Sequence, residues 1–224
     1  MRVMVVVAHT DDETFGLAGT IGWHVDQGDS VFAVSLTDGV SARSIDDRDE
    51  AVRKRLVGAG EAAKTLGFEW LDGGNFPDNS LDSVPLLELV KFIEEFKVEL
   101  QPQRVYCHYR HDLNIDHELA ARATLTAFRP EPDAICREVL SFEVPSSTDY
   151  GALSGAPAFK PNYFVDVTSY WKLKEKAMVA YGSEVRPSPH SRSFSGLKNL
   201  AGYRGASVGV ALAEAFQLER LVRA

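Results

Sequence analysis

The clearest pattern in the chain is an apolar run that stops abruptly at charged residues. Residues 3–8 (VMVVVA) are apolar without alternation, which predicts a strand covered on both faces. Further runs rich in β-branched or aromatic residues follow at intervals along the chain. The predicted strands are residues 2–8, 30–36, 68–71, 104–108, 139–144 and 163–167.

Segments with helical spacing fill most of the intervals between these strands. The helix predicted over 14–27 ends at Gly28 and the helix over 49–66 ends at Gly67, where glycine can close a helix. The other predicted helices are residues 84–100, 117–127, 170–181 and 208–221, with loops at 145–161 and 186–195. The alternation of strand and helix predicts an α/β fold with a doubly wound, mostly parallel sheet flanked by helices.

Composition narrows the class of protein further. The chain has 224 residues, of which 45% are hydrophobic, enough for one sizeable core, and no internal boundary divides it. The net charge of -8 argues against binding a nucleic-acid backbone. No apolar run is long enough for a membrane span, and the N-terminal run is short for a signal peptide, so we expect a cytoplasmic protein. Two cysteines outside any C-x-x-C argue against a disulfide framework.

Two clusters of histidines and carboxylates follow two of the predicted strands. In doubly wound sheets, ligands bind outside the carboxyl ends of the strands, so both clusters should lie at one edge. Either cluster alone is weak evidence, because acidic loops are common and usually only solvated. The first contains His9, Asp11, Asp12 and Glu13, and the second, in residues 107–124, contains His108, His111, Asp112, Asp116 and His117.

Together the clusters predict a metal centre. His9, Asp12 and His117 would supply two imidazoles and a carboxylate. This ligand set suits catalytic Zn²⁺, with a fourth position for water, and it can also bind Fe²⁺. Zn²⁺ lowers the pKa of bound water toward about 7. Asp11 could then take the proton of that water, and Asp116 could orient a neighbouring imidazole.

Four stretches carry a resemblance to a known family. The stretch AHTDDETFGLAGTI (8–21) resembles the A-H-P-D-D-E motif of the PIG-L/LmbE family of zinc-dependent N-deacetylases, and HYRHDLNIDH (108–117) resembles its second metal motif. KEKAMVAYGSE (174–184) and RGASVGVALAEAF (204–216) are similar to its later motifs. The resemblance spans nearly the whole chain and implies one deacetylase domain, residues 1–224, with a Rossmann-like, LmbE-like fold.

The resemblance also implies roles for individual residues. His9, Asp12 and His117 fall on the metal ligands, Asp11 on the general base, and Asp116 on an orienting carboxylate. Asn114 stands where some members have a histidine that stabilises the intermediate or protonates the leaving amine. An amide can donate a hydrogen bond to an oxyanion but cannot deliver a proton at neutral pH, so that role passes to Asp11 or, less favoured, His111.

Substrate contacts are predicted on weaker grounds. Arg55 lies near a family pattern in which an arginine contacts substrate, with Arg53 as a rival and a solvated helix arginine as the alternative. Asp78 is either a turn residue or an acceptor for a sugar hydroxyl. His190 lies in a basic loop that either closes over the substrate or is plain surface. The substrate-binding candidates are therefore Arg55, Asp78, His111 and His190.

The function that these observations favour is a metal-dependent hydrolase. It would remove the N-acetyl group from a small molecule or glycoconjugate that contains N-acetylglucosamine, the sugar being implied by the resemblance alone. The alternative is a metal-dependent amidase acting on a non-sugar N-acyl substrate. A nucleotide-binding module is disfavoured, because His-x-Asp-Asp-Glu stands where a G-x-G-x-x-G loop would be needed. The group attached to the sugar is left open, and so is assembly into a homo-oligomer.

Overall fold

One sheet holds all the strands in the described part of the chain. The structure is a computed structural model and describes residues 1–37, 39–40 and 48–223. The strand order is β3-β2-β1-β4-β5-β7-β6. The strands are β1 (Arg2–Val7), β2 (Ser30–Ser35), β3 (Glu69–Trp70), β4 (Arg104–His108), β5 (Glu138–Phe142), β6 (Tyr163–Asp166) and β7 (Ala213–Leu221).

Helices pack on both faces of this sheet. They are α1 (Asp12–Asp26), α2 (Arg48–Leu66), α3 (Leu86–Leu100), α4 (Ile115–Ala127), α5 (Thr148–Leu153), α6 (Trp171–Ala180) and α7 (Phe194–Ala206). Along β1, Val3, Val5 and Val7 join the core under α1, α2, α6 and α7, whereas Met4 and Val6 join the core under α3 and α4. This double coverage is why the first strand lacks alternation. None of the helices described is long and apolar enough to cross a bilayer.

The order of the strands indicates where a binding crevice would lie in this sheet. β1 pairs in parallel with β2 on one side and with β4 on the other, and β5 extends the parallel set beyond β4. The strand order therefore reverses between β1 and β4, which confirms the predicted doubly wound fold. His9 follows β1 and His108 ends β4, so both lie at the switch point where such sheets bind ligands.

The predicted helix over 208–221 is wrong. This region contains β7, which pairs antiparallel with both β5 and β6. Its alanines, leucines and glutamates favour a helix in isolation, but residues 213–216 are all buried inside the sheet, and burial overrides propensity. Two helices also lie where loops were expected: α5 falls within 145–161, and α7 begins at the end of 186–195.

A buried ion pair forms hydrogen bonds with the backbone at a break in α1. The helix is non-helical at Leu17, which frees backbone groups on both sides of the break. The Glu214 carboxylate accepts the N–H groups of Gly19 at 3.0 Å and Thr20 at 2.7 Å. The Lys174 ammonium donates to Glu214 at 2.7 Å and to the Phe15 carbonyl at 2.9 Å. The second half of α1 is thus capped by β7 and α6.

We expect Lys174→Met to destabilise the fold by about 3 kcal/mol, because it leaves the Glu214 carboxylate buried without its counter-charge. The free energy of unfolding, from denaturant titration, measures this loss. Lys172→Met, at an exposed position of the same helix, is the matched control and should change stability by less than about 0.5 kcal/mol. Equal effects of the two substitutions would contradict the capping role.

Candidate metal centre

Three side chains meet in a nearly equilateral triangle of ligand atoms. His9 Nδ1 and His117 Nε2 each lie 3.3 Å from Asp12 Oδ2, and the two nitrogens are 3.3 Å apart. A tetrahedral ion with bonds of about 2.0–2.1 Å holds its ligand atoms about 3.3 Å apart. The residues therefore fit a tetrahedral divalent cation with one position left for a further ligand.

Each member of this triangle begins or follows a regular element. His9 follows β1, Asp12 is the first residue of α1, and His117 lies in the first turn of α4. The His9 backbone N–H donates to Asp12 Oδ2 at 2.9 Å, which folds the short connection back on itself. All three residues are buried, so their geometry is fixed by packing.

Two carboxylates orient the His9 ring. Its Nε2 lies 3.0 Å from Asp78 Oδ1 and 3.2 Å from Asp116 Oδ2, which turns Nδ1 toward Asp12 and His117. Asp116 also accepts the backbone N–H groups of Asn79 at 2.6 Å and Leu81 at 3.0 Å. His9, Asp78 and Asp116 also form a second group of close ligand atoms. Because both oxygens of Asp116 accept N–H groups, we interpret this group as the support of the His9 imidazole.

Asp112 plays the same part for His117, and the sequence reasoning gave it no role. Its carboxylate lies 3.3 Å from His117 Nδ1. It is held by the hydroxyls of Ser147 and of Thr148 (2.6 Å) and by the Asn114 N–H at 2.9 Å. The available signal was the aspartate five residues before His117 in the second motif.

The electrostatics of the triangle favour a cation. Burial lowers the pKa of His117, but Asp12 and Asp112 outweigh it and raise that pKa to about 9. Burial likewise lowers the pKa of His9, yet hydrogen bonds to Asp116, Asp12 and Asp78 leave it well above the usual range. Burial raises the pKa of Asp12, but the adjacent His117 and His108 hold it well below normal. Positive charge is therefore stabilised at this point, as a metal site requires.

One carboxylate oxygen is left over. Asp12 Oδ1 is buried and has no hydrogen-bond partner among residues 1–37, 39–40 and 48–223. Such an orphaned acceptor is costly in a protein interior and is expected where an ion completes the site. Nearby, His108 accepts the Ala8 N–H at Nε2 (2.9 Å), and burial, with His117 stacked 4.0 Å away, lowers its pKa to about 4. His108 is therefore a neutral packing partner of His117.

Asp11 sits beside the triangle in a strained conformation. Its φ of 142° is rare for a residue with a side chain, and strain of this kind concentrates at functional sites. Arg55 Nη2 donates to one carboxylate oxygen at 2.9 Å, and Arg192 Nη1 lies 3.5 Å from the other. Burial raises the pKa of Asp11 even though both arginines lower it. Two arginines from distant parts of the chain thus set the orientation of the Asp11 carboxylate.

Glu13 holds the backbone of that strained residue. Its carboxyl accepts the Asp11 N–H at 3.0 Å, the Thr14 hydroxyl at 2.7 Å and the Tyr181 hydroxyl at 3.0 Å. Burial raises its pKa to about 7. Glu13 therefore links the Asp11 loop to the end of α6.

The remaining predicted residues lie at varying distances from the centre. The Arg55 guanidinium donates hydrogen bonds to Thr10 at 3.0 Å, to Asp11, and to Glu184 at 3.3 Å. The Arg55 guanidinium thus lies against Asp11, and the substrate contact that the sequence suggested stays a prediction. Two other candidates are exposed or partly exposed: His111 packs edge-on against Tyr109, and His190 Nδ1 accepts the Arg192 N–H at 3.0 Å. His190 thus contacts the backbone of Arg192, whose guanidinium lies 3.5 Å from Asp11.

Asn114 caps α4. Its side-chain oxygen accepts the Asp116 N–H at 2.8 Å, and its amide nitrogen donates to Asn79 Oδ1 at 3.2 Å. The cap fixes the first turn of α4, which carries Asp116 and His117. Asn114 is half-buried, and its amide N–H group is the part that could turn toward a ligand.

The sequence matches a family model and several named relatives. The model of the PIG-L family, described as GlcNAc-PI de-N-acetylase, matches residues 4–128. A Bacillus anthracis protein named "Probable N-acetyl-alpha-D-glucosaminyl L-malate deacetylase 2" is 26% identical over 189 residues, which cover 82% of this chain and 81% of that protein. The range matched by the family model, residues 4–128, includes His9, Asp12 and His117.

Solved structures share the whole fold. The N,N'-diacetylchitobiose deacetylase of Pyrococcus horikoshii, in complex with its inhibitor MPG, has a TM-score of 0.77 and 22% identity, and the match covers 98% of this chain and 84% of that one. GalB, the 4-carboxy-2-hydroxymuconate hydratase of Pseudomonas putida KT2440, has a TM-score of 0.76 and 22% identity over 100% and 98% of the two chains. Since a deacetylase and a hydratase share it, the fold alone does not select the reaction.

Proposed function

Because this chain belongs to the PIG-L family, whose model matches more than half of its residues, we propose that it is a metal-dependent N-deacetylase. It would hydrolyse the acetamido group of an N-acetylated amino sugar to an amine and acetate. The observation that supports this most directly is the His9–Asp12–His117 triangle with the strained carboxylate of Asp11 beside it.

The residues assigned to the ion are His9, Asp12 and His117. When bound there, Zn²⁺ or Fe²⁺ would polarise the amide carbonyl and lower the pKa of a water molecule. The carboxylates behind the ligands keep the imidazoles in place: Asp78 and Asp116 for His9, Asp112 for His117. We therefore assign Asp116 a positioning role in the reaction.

Asp11 is proposed to move the proton. Its carboxylate takes a proton from the attacking water as the new carbon–oxygen bond forms. It returns that proton to the nitrogen as the carbon–nitrogen bond breaks, which releases the amine and acetate. Burial raises the pKa of Asp11 and so makes it a better base, while Arg55 and Arg192 fix its direction. We propose that the Asn114 amide N–H donates a hydrogen bond to the developing oxyanion. To do so it would give up its hydrogen bond to Asn79.

The amino sugar is proposed from the relatives. The name of the Bacillus anthracis protein contains an N-acetylglucosaminyl group, and that of the Pyrococcus horikoshii enzyme contains diacetylchitobiose. Asp78, for which the sequence offered a turn or a contact to a sugar hydroxyl, lies 3.0 Å from His9 Nε2, and we propose that it supports that ligand.

The test combines metal content with acetate release. We expect about one Zn²⁺ or Fe²⁺ per chain after loading, and release of acetate from at least one compound in a panel of N-acetylglucosamine, its glycosides, its malate conjugate and N,N'-diacetylchitobiose. N-acetylated amino acids and aryl acetamides form the control panel. Release from the control panel alone would favour the non-sugar amidase, and failure to bind either metal would overturn the site assignment.

A further inference from the structure

The turn that follows α6, residues 181–184, carries two buried side chains to which the proposed reaction assigns no role. Within the turn, the Glu184 N–H donates to the Tyr181 carbonyl at 2.8 Å, which fixes the two residues relative to each other. Only 3% of Tyr181 and 5% of Glu184 is exposed. A buried hydroxyl and a buried carboxylate need partners, and both side chains make hydrogen bonds that lead to Asp11.

Tyr181 acts on the backbone of Asp11 through Glu13. The Tyr181 hydroxyl donates to Glu13 Oε1 at 3.0 Å, and Glu13 Oε2 accepts the Asp11 N–H at 3.0 Å. The backbone of Asp11 has a φ of 142°, a conformation that persists only where its surroundings hold it. Tyr181 therefore fixes the carboxyl group that holds this strained residue.

Glu184 acts on the carboxylate of Asp11 through Arg55. Glu184 Oε1 accepts a hydrogen bond from Arg55 Nη1 at 3.3 Å, while Nη2 of the same guanidinium donates to Asp11 Oδ1 at 2.9 Å. Because the guanidinium is planar, the bond of Nη1 to Glu184 sets the direction in which Nη2 points. Glu184 and Asp11 thus share one buried cation.

Close packing of α2 against the end of α6 makes this arrangement possible. Gly58 lies three residues after Arg55 on α2, and a Cβ atom there would lie 2.7 Å from the Ala180 carbonyl oxygen and 3.4 Å from the Tyr181 ring. A methyl group at 58 would therefore push α2, and the Arg55 guanidinium with it, away from the turn. A Cβ atom at Gly60 on the same helix would have no neighbour within 4 Å in the described part of the chain.

We propose that the turn after α6 positions the general base of the reaction. Tyr181 holds the Asp11 backbone through Glu13, and Glu184 holds the Asp11 carboxylate through Arg55. Both act through another residue, so they are positioning residues. This assignment rests on the proposed function, in which Asp11 moves the proton. Because the alignment of a base matters in the transition state, its loss should lower kcat and leave KM and metal content unchanged.

The first experiment removes each contact separately in the metal-loaded protein. With the compound that wild type deacetylates fastest, we expect kcat to fall about tenfold in Tyr181→Phe and in Glu184→Ala, with KM unchanged. Glu184→Gln keeps an oxygen for Arg55 and should retain at least about a third of the wild-type kcat. The matched controls Tyr203→Phe and Ser183→Ala, both at exposed positions, should leave kcat unchanged.

Metal analysis of the same samples separates an effect on the base from an effect on the ligands. Metal content should stay at the wild-type level in Tyr181→Phe and Glu184→Ala. An unchanged kcat in either variant would overturn the role of that residue. A fall in metal content that matches the fall in kcat would assign the effect to the metal ligands and contradict the proposal.

A double substitution separates positioning from a general structural effect. If Glu184 acts through Arg55, Glu184→Ala should lower kcat by less than about twofold in a protein that already carries Arg55→Met, because residues on one path are not additive. The free energy of unfolding of these variants, from denaturant titration, verifies that each of them folds. A loss of about tenfold in both backgrounds would contradict a path through Arg55.

The two glycines of α2 test the packing contact. Gly58→Ala should displace Arg55 from Asp11 and lower kcat by about tenfold at unchanged metal content. Gly60→Ala makes the same change at an open position of the same helix, so it should keep the wild-type kcat and raise the thermal unfolding midpoint. Equal kcat values in the two variants would contradict the role of the contact at Gly58.

The wild-type protein separates failure of this proposal from failure of the function. If wild type releases acetate and the variants match it, the proposed function stands and the positioning role fails. If metal-loaded wild type releases acetate from no compound in the sugar or control panel, the proposed function fails. The positioning role then fails with it, because no base is left to position.

Discussion

Replacing His117 with Ala is expected to remove metal binding and, with it, acetate release. The substitution leaves only His9 and Asp12 of the three ligand atoms, and two ligands hold a divalent ion far more weakly than three. We expect the metal content after loading to fall from about one ion per chain to less than about a tenth of that. Metal analysis after gel filtration, alongside acetate release, checks this.

The control for His117→Ala lies on the same helical turn. Glu118→Ala removes a neighbouring carboxylate from the first turn of α4 and should leave metal content unchanged. Thermal unfolding of the metal-free proteins verifies that both variants fold. Full metal content in folded His117→Ala would show that the ion is held by other residues.

The second large effect is expected from Asp11→Asn. The amide keeps the size of the side chain and an oxygen for Arg55, but it cannot accept the proton of the attacking water. We expect kcat to fall by about 10²–10⁴ while metal content stays at the wild-type level. Steady-state kinetics with metal analysis of the same samples measures both quantities.

The matched control for Asp11→Asn is Asp133→Asn. Asp133 is also an aspartate with positive φ, but it is exposed in the connection between α4 and β5, away from the triangle. The same chemical change there should leave kcat unchanged. A kcat for Asp11→Asn within tenfold of wild type would rule out Asp11 as the base.

A large part of the candidate site was predictable, because its residues lie close together in the sequence. His9 and Asp12 are three residues apart, so a single turn after β1 brings them together wherever the chain places that turn. The second motif puts His117 in the first turn of α4, behind a strand predicted with its observed bounds, Arg104–His108. Parallel pairing of β1 with β4 then joins the two segments. The alternation of strands and helices predicted a parallel sheet, and the structure shows that β1 and β4 are neighbours in it.

The supporting residues were less predictable, because their partners lie far away in sequence. Arg55 reaches Asp11 across 44 positions and Arg192 reaches it across 181. Nothing in the neighbourhood of either arginine indicates that contact. The sequence suggested a substrate contact or a solvated position for Arg55, and it did not indicate the hydrogen bonds of this guanidinium to Asp11 and Glu184.

The sequence by itself therefore determined the doubly wound sheet, its double coverage at β1 and the two segments that carry the candidate ligands. These features depend on periodicity and on residues a few positions apart. Only the tertiary structure decided that 213–221 is a strand, and that Asp112 supports His117 while Asp116 supports His9. The physical reason is the same in each case. Burial between β5 and β6, or the approach of a carboxylate to one imidazole, is set by neighbours that only the folded chain brings together.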